Sequence, residues 1–162
     1  MKQSVYLETT IPSYLAARTS SNIIIAGKQA ATHEFFEKEQ YKYNLYVSRF
    51  VLQECANGDV NVAKRRMEWL NGIAVLPDTP DIERLADTYM GILSIPLRSR
   101  IDTQHLAMCC IHEIDILLSW NCTHLGVASM QKIQGYNDAH GLHTPQMTTP
   151  HSLVKKILEV DD

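Results

Sequence analysis

Short β-branched and aromatic runs alternate with stretches of helical periodicity along the chain, and no other feature limits the fold as much. Ser4 to Leu7 reads as a strand, broken by Pro12, and Tyr43 to Val47 alternates as a second. Ile73 to Leu76 is a short apolar strand stopped by Pro77, and Asp115 to Trp120 has the pattern of a buried strand followed by Asn121 and a polar turn. Helical patterns separate them. Asn22 to about Glu39 places Ile24, Ala31, Phe35 and Phe36 on one side; Ser48 opens a helix that Gly58 ends; Val60 to Leu70 follows. Ile82, Leu85, Ala86, Tyr89, Met90 and Leu93 fit the spacing of a single helix face, whereas Ile101 to His112 is apolar on most faces and predicts a helix buried between layers. Thr149 and Pro150 supply an N-cap and a proline at the first helical position for a last helix, Ser152 to Val160. Strands that alternate with helices predict an α/β class, with helices on both faces of a central, mainly parallel sheet.

The 162 residues hold no internal repeat or Pro/Gly/Ser linker, so a single domain spanning 1–162 is expected. With 45% hydrophobic and 20% charged residues the chain can build a core, which excludes disordered and disulfide-scaffold classes. A net charge of −3 excludes a polycation that coats nucleic acid and leaves room only for a local basic patch. Glu8 interrupts the N-terminus before a signal-peptide hydrophobic region can form, and no apolar run approaches the ~18 residues of a membrane span. Cys55, Cys109, Cys110 and Cys122 form no CxxC pair, which reads as reduced thiols in a cytoplasmic protein.

Ligands of an open parallel sheet gather beyond the carboxyl ends of its strands. Glu8 ends the first predicted strand and Asn121 ends the Asp115–Trp120 strand; Glu54 lies two turns into the helix after the second, and Asp102 begins a later helix. Three carboxylates and an amide from distant parts of the chain can thus meet in one cleft, all oxygen donors of the kind hard divalent cations take. Carboxylates within ~4–6 Å repel unless a cation lies between them. Taken singly, Glu8 and Glu54 read equally as solvated surface acids and Asp102 as an N-cap.

The stretches Val5-Tyr6-Leu7-Glu8-Thr9-Thr10, Val51-Leu52-Gln53-Glu54, Asp102-Thr103-Gln104-His105-Leu106-Ala107 and Asp115 through Trp120-Asn121-Cys122-Thr123-His124 resemble the ordered signatures of PIN domains. The VapC-like branch, with its D-x-x-H-x-A and T/S-W-N-x-x-H patterns, is the most similar, and the likeness runs through to the Thr149-Pro150 helix start. This resemblance implies a three-layer α/β/α PIN fold and a metal-dependent endoribonuclease, the toxin of a type II toxin–antitoxin pair. It implies Mg²⁺ or Mn²⁺ held by Glu8, Glu54 and Asp102, an RNA substrate, a small antitoxin partner and a homodimer formed through N-terminal helices. Two departures stand out. Glu8 replaces the usual Asp, and the position of the fourth acid falls on Asn121, whose carbonyl can reach a metal but adds no charge. One ion, or a second recruited by substrate phosphate, follows from that.

An acidic site that hydrolyses a polyanion needs basic residues at its rim. Arg49 and Arg100, near the proposed acids in sequence, rank above Arg98 and the triplet Lys64-Arg65-Arg66, which also reads as a solvated helix face. Thr9 and Thr10 are candidate phosphate or metal-water contacts. His105, three residues after Asp102, either touches substrate, orients a ligand or packs beneath the site. Asp115, at the opposite end of its strand, reads as a cap or salt-bridge partner. The spacings of His140, His143, Cys122 and His124 match no standard zinc site. Trp120 and Tyr6 read as core before base-stacking platforms. The exposed-looking Ile23–Ile25 suit a dimer contact or the core. A second function class remains open: a degenerate, non-catalytic PIN fold that binds nucleic acid or protein, for which Asn121 is the chief argument.

Overall fold

The computed structural model describes residues 1–121 and 125–158. Five strands, β1 (Gln3–Leu7), β2 (Tyr43–Val47), β3 (Ala74–Val75), β4 (Ile116–Leu118) and β5 (Gln146–Thr148), make one wholly parallel sheet in the order β3-β2-β1-β4-β5. β1 lies at the centre, with Val5 opposite both Leu45 and Ile116. Val5, Tyr6 and Leu7 have no exposed surface, because helices cover both sheet faces, and this explains an unbroken apolar run in place of alternation. Each large apolar side chain so buried contributes roughly 1.5–3 kcal/mol. The chain first builds outward from β1 through β2 and β3, then returns to add β4 and β5 on the other side. The crevice beyond β1 and β4 is therefore the topological switch point.

The helices are α1 (Thr10–Ala16), α2 (Ile23–Glu34), α3 (Arg49–Cys55), α4 (Val60–Trp69), α5 (Pro80–Leu93), α6 (Arg100–Ile111), α7 (Val127–Ala139) and α8 (Pro150–Leu158). Side-chain oxygens start four of them: Asn22 accepts from Ile24 and Ile25, Ser48 from Phe50, Asp59 from Asn61 and Val62, and Thr149 from Ser152. α2 runs on into a widened π-helical turn, Phe35–Glu39, that buries both phenylalanines. α1 packs on α2 and α4, and α2 on α8, whereas α5 packs on α6 and α7. α6 buries Thr103 and every residue from His105 to Cys110, as its apolar faces predict.

Some local expectations shift. Pro12 does not border β1; it is the third residue of α1, where its missing N–H is one of the donors that a helix start leaves unused. β4 is three residues long, so Asp115 and Ser119–Asn121 flank it instead of forming its ends. Asp115 is a cap: its Oδ2 accepts from the Ser4 amide at 2.8 Å and the Ser4 hydroxyl at 3.0 Å. α7 and β5 have no counterpart among the predicted elements. The expected end of the last helix at Val160, and Cys122 and His124, lie outside the described residues. Cys55, Cys109 and Cys110 are buried free thiols, and burial pushes Cys55 up to about 12. No described helix is long and apolar enough to cross a membrane.

Candidate active site

Glu8 leaves β1 with its backbone still in the ladder, its N–H donating to the Leu118 carbonyl at 3.1 Å. Its side chain turns beneath the start of α1, where the Thr10 N–H donates to Oε2 at 2.8 Å and to Oε1 at 3.2 Å. Ser119, just past β4, donates from Oγ to Glu8 Oε2 at 3.2 Å and accepts the Asn121 N–H at 2.9 Å. Only 8% of Glu8 is exposed. Burial raises its carboxyl above the usual range, and the nearby charge of Glu54 adds to this, against relief from His105 and the Thr10 amide.

Glu54, near the end of α3, reaches back toward β1. Its Oε1 accepts from the Thr9 hydroxyl at 2.5 Å and lies 2.8 Å from His105 Nε2. Burial alone opposes its charge, but the bonds from His105 and Thr9 outweigh that and hold the carboxyl below its ordinary range. The two acids are thus shifted in opposite directions. Asp102, in the first turn of α6, faces the same crevice, its Oδ1 3.4 Å from Asn121 Nδ2. A continuous path, Asp102–Asn121–Ser119–Glu8, therefore runs across the switch point, with Glu54 beside it. Among the described residues, no three His, Cys, Asp or Glu side chains are placed so that together they could hold a metal ion. Glu54 is near enough for its charge to act on Glu8, and Asp102 stands across Asn121.

The other named residues divide. Thr9 binds Glu54, and Thr10 binds Glu8 through its N–H while its hydroxyl accepts the Trp120 N–H at 2.9 Å. His105 is 3% exposed and has both ring nitrogens engaged, one by Glu54 and the other by the Tyr6 hydroxyl at 2.6 Å, so it supports Glu54 from below. Arg49 and Arg100 both turn to α5. Arg49 pairs with Asp78 at 2.7 Å and Glu83 at 2.9 Å, and Arg100 pairs with Glu83 at 2.6 Å and also with Asp87. The Arg100 hydrogen bond leads the effects that lower the Glu83 carboxyl. Arg65 and Arg66 bond the backbone at Ala16, Cys55 and Asn57, latching α4 to the ends of α1 and α3. Lys64 lines an open cavity of about 740 Å³ with Arg18, Asp59 and Glu68. His140 and His143 bond the Tyr136 and Ile114 carbonyls. Trp120 is half-buried, its indole N–H on Thr32. Ser48 and Ser119, not among the expected residues, complete the site together with Tyr6, which the sequence reads as core. Ser119 had a signal, as a hydroxyl beside Asn121 at a strand end; the other two had none.

The fold has a solved counterpart. The VapC20 toxin of Mycobacterium tuberculosis, described as cleaving the sarcin-ricin loop, superposes with a TM-score of 0.59 over 75% of this chain and 92% of its own, at 14% identity. The chain has a VapC-like PIN fold. No protein-family model matches the sequence, and no curated protein matches it. What is shared is thus the fold; in this chain Glu8 follows β1 and Asp102 lies at the start of α6, beside its switch point.

Proposed function

We propose that this chain is a Mg²⁺- or Mn²⁺-dependent endoribonuclease, the toxin of a type II toxin–antitoxin pair, with Glu8, Glu54 and Asp102 as the metal ligands. One observation carries this reading: Glu8 and Asp102 are linked through Ser119 and Asn121, with Glu54 near enough to act on Glu8, at the switch point of a fold shared with a toxin described as cleaving the sarcin-ricin loop. The donor set suits a hard cation, and a buried carboxylate beside a second one, as Glu8 is, gains from a positive charge between them. A bound divalent ion would polarise a phosphate oxygen and lower the pKa of a water. The chain's own part is to fix the ligands: the Thr10 amide and Ser119 hold Glu8, Thr9 and His105 hold Glu54, and a site carboxylate takes the water's proton. Asn121 presents an amide beside Asp102 and brings no charge. In this reading Arg49 and Arg100 exchange α5 carboxylates for RNA phosphates, a small antitoxin covers the site, and the protein works as a cytoplasmic homodimer.

The direct test is cleavage of a single-stranded RNA with Mg²⁺ and with a chelator. Asp102→Asn is expected to abolish Mg²⁺-dependent cleavage and growth inhibition while raising the metal-free melting temperature, since one repelling charge is gone. A variant that cleaves as well as the parent contradicts the assignment.

A second reading, a non-catalytic PIN module, is favoured by the Asn121 amide turned toward Asp102 where the family resemblance places an acid. Asn121→Asp separates the two. Tighter Mn²⁺ binding in calorimetry is expected if Asn121 borders an ion site; unchanged binding with no cleavage by the parent favours the module.

A further inference from the structure

We propose that Tyr6, backed by Ser48, is a positioning residue for the acid site: it fixes the His105 ring so that Nε2–H is held on Glu54 Oε1, which orients that carboxylate as a ligand for a divalent ion. This deepens the function proposed above, because it takes Glu54 as an ion ligand.

With His105 neutral and Glu54 ionised, one order of hydrogens fits the chain. The Phe50 N–H donates to Ser48 Oγ at 3.2 Å, as the cap of α3. The Ser48 hydroxyl then donates to Tyr6 Oη at 2.7 Å, and the Tyr6 hydroxyl to His105 Nδ1 at 2.6 Å. A neutral imidazole that accepts at Nδ1 carries its proton on Nε2. That proton points at Glu54 Oε1, 2.8 Å away, which also receives the Thr9 hydroxyl at 2.5 Å. An ionised carboxylate only accepts, so this order leaves no donor facing a donor. Two donors on one oxygen restrain the carboxylate from turning about its axis.

The relay is well placed to be rigid. Tyr6 and Ser48 have no exposed surface and His105 has 3%. Rings clamp the imidazole on two sides, Tyr6 at a centroid distance of 5.6 Å and Phe50 at 6.4 Å, edge-on. The path also starts and ends on α3, since Ser48 caps that helix and Glu54 lies on it. β1 and α6, which carry Tyr6 and His105, are thereby tied to the short helix that presents the acid. Nothing in simple core packing calls for a tyrosine here in place of phenylalanine.

The test compares the parent with Tyr6→Phe, His105→Gln and His105→Leu, at a temperature where melting curves show each folded. ¹⁵N NMR of the metal-free parent at neutral pH is expected to show His105 as a single Nε2–H tautomer, and Tyr6→Phe to lose it. Mn²⁺ affinity by calorimetry is expected to fall roughly 10- to 100-fold in Tyr6→Phe and His105→Leu, the usual effect of removing a group that orients a metal ligand. His105→Gln, whose amide can donate from near the Nε2 position, is expected to recover most of it. Parent-like Mn²⁺ affinity in Tyr6→Phe, or an Nδ1-protonated ring in the parent, overturns the proposal even if the nuclease reading stands. A parent that shows the expected tautomer but no saturable Mn²⁺ binding overturns the metal reading, and the ion-positioning role with it. If Tyr6→Phe does not fold, equal affinity of the His105→Gln and His105→Leu variants overturns the proposal alone.

Discussion

Glu8 and Glu54 stand side by side yet differ in sign as contributors to stability. Burial raises Glu8 above its ordinary value of 4.5, so the folded state binds its proton more tightly than the unfolded chain does. Stability is therefore lost as pH rises from about that value through the raised one, and stays lost at neutral pH. Glu54 is lowered, so its contribution is present above 4.5 and disappears as pH falls through its folded value. Without divalent ions, Glu8→Gln is expected to raise the melting temperature at pH 7 by a few degrees, about 1 kcal/mol being worth roughly 2–4 °C in a chain of this size. Glu54→Gln is expected to lower it. Melting curves taken from pH 7 down through 4.5 and below check both: the Glu8 difference should shrink before 4.5 is reached and the Glu54 difference only below it. The acids themselves were legible in the sequence, because a carboxylate just past a buried strand or at a helix start has few places to point. Tyr6 was not. An aromatic in a strand looks like core, and the partners that give its hydroxyl a task, Ser48 and His105, lie 42 and 99 residues away.

At the scale of elements, legibility follows how much of its identity each one carries in its own side chains. α5 buries Ile82, Leu85, Ala86 and Tyr89 at helical spacing and can be read from that stripe alone. α7 buries only Ile133 and Asn137, carries Gly135 mid-helix, and leads into a three-residue strand of mixed polarity, so no periodicity marks α7 or β5. Asn137, rather than an apolar face, fastens this part of the chain. It has no exposed surface; Oδ1 accepts the Tyr89 hydroxyl at 2.5 Å, and Nδ2 donates to Thr144 Oγ1 at 2.9 Å. Asn137→Leu takes away the oxygen acceptor of the Tyr89 hydroxyl, leaving it the weak Cys110 thiol, and a buried poorly satisfied group costs up to about 1–3 kcal/mol. The expected result is a melting temperature lower by several degrees, with faster amide exchange in β5 than in β1. An unchanged melting temperature would show that α7 is held by something else.

Across the whole molecule, charge and apolar surface are unevenly placed. The arginines nearest the acids are paired with α5, while α2 presents Ile23 at 86% exposure and Ile24 at 69%. Apolar side chains this open add nothing to the monomer's core, which resolves the choice left by the sequence in favour of a surface. If that surface joins two copies, Ile23→Glu with Ile24→Glu is expected to convert a dimer to a monomer in sedimentation without lowering the melting temperature. A dimer that survives the change would place the interface elsewhere. The sheet order and its switch point unite these scales, since they set residues 8 and 102 on either side of Ser119 and Asn121. Calorimetric titration of Mn²⁺ into the parent and into Asp102→Asn tests that convergence most directly. Saturable binding by the parent that weakens at least tenfold in the variant is expected; equal binding by the two, or none by the parent, would contradict a metal site built from Glu8, Glu54 and Asp102.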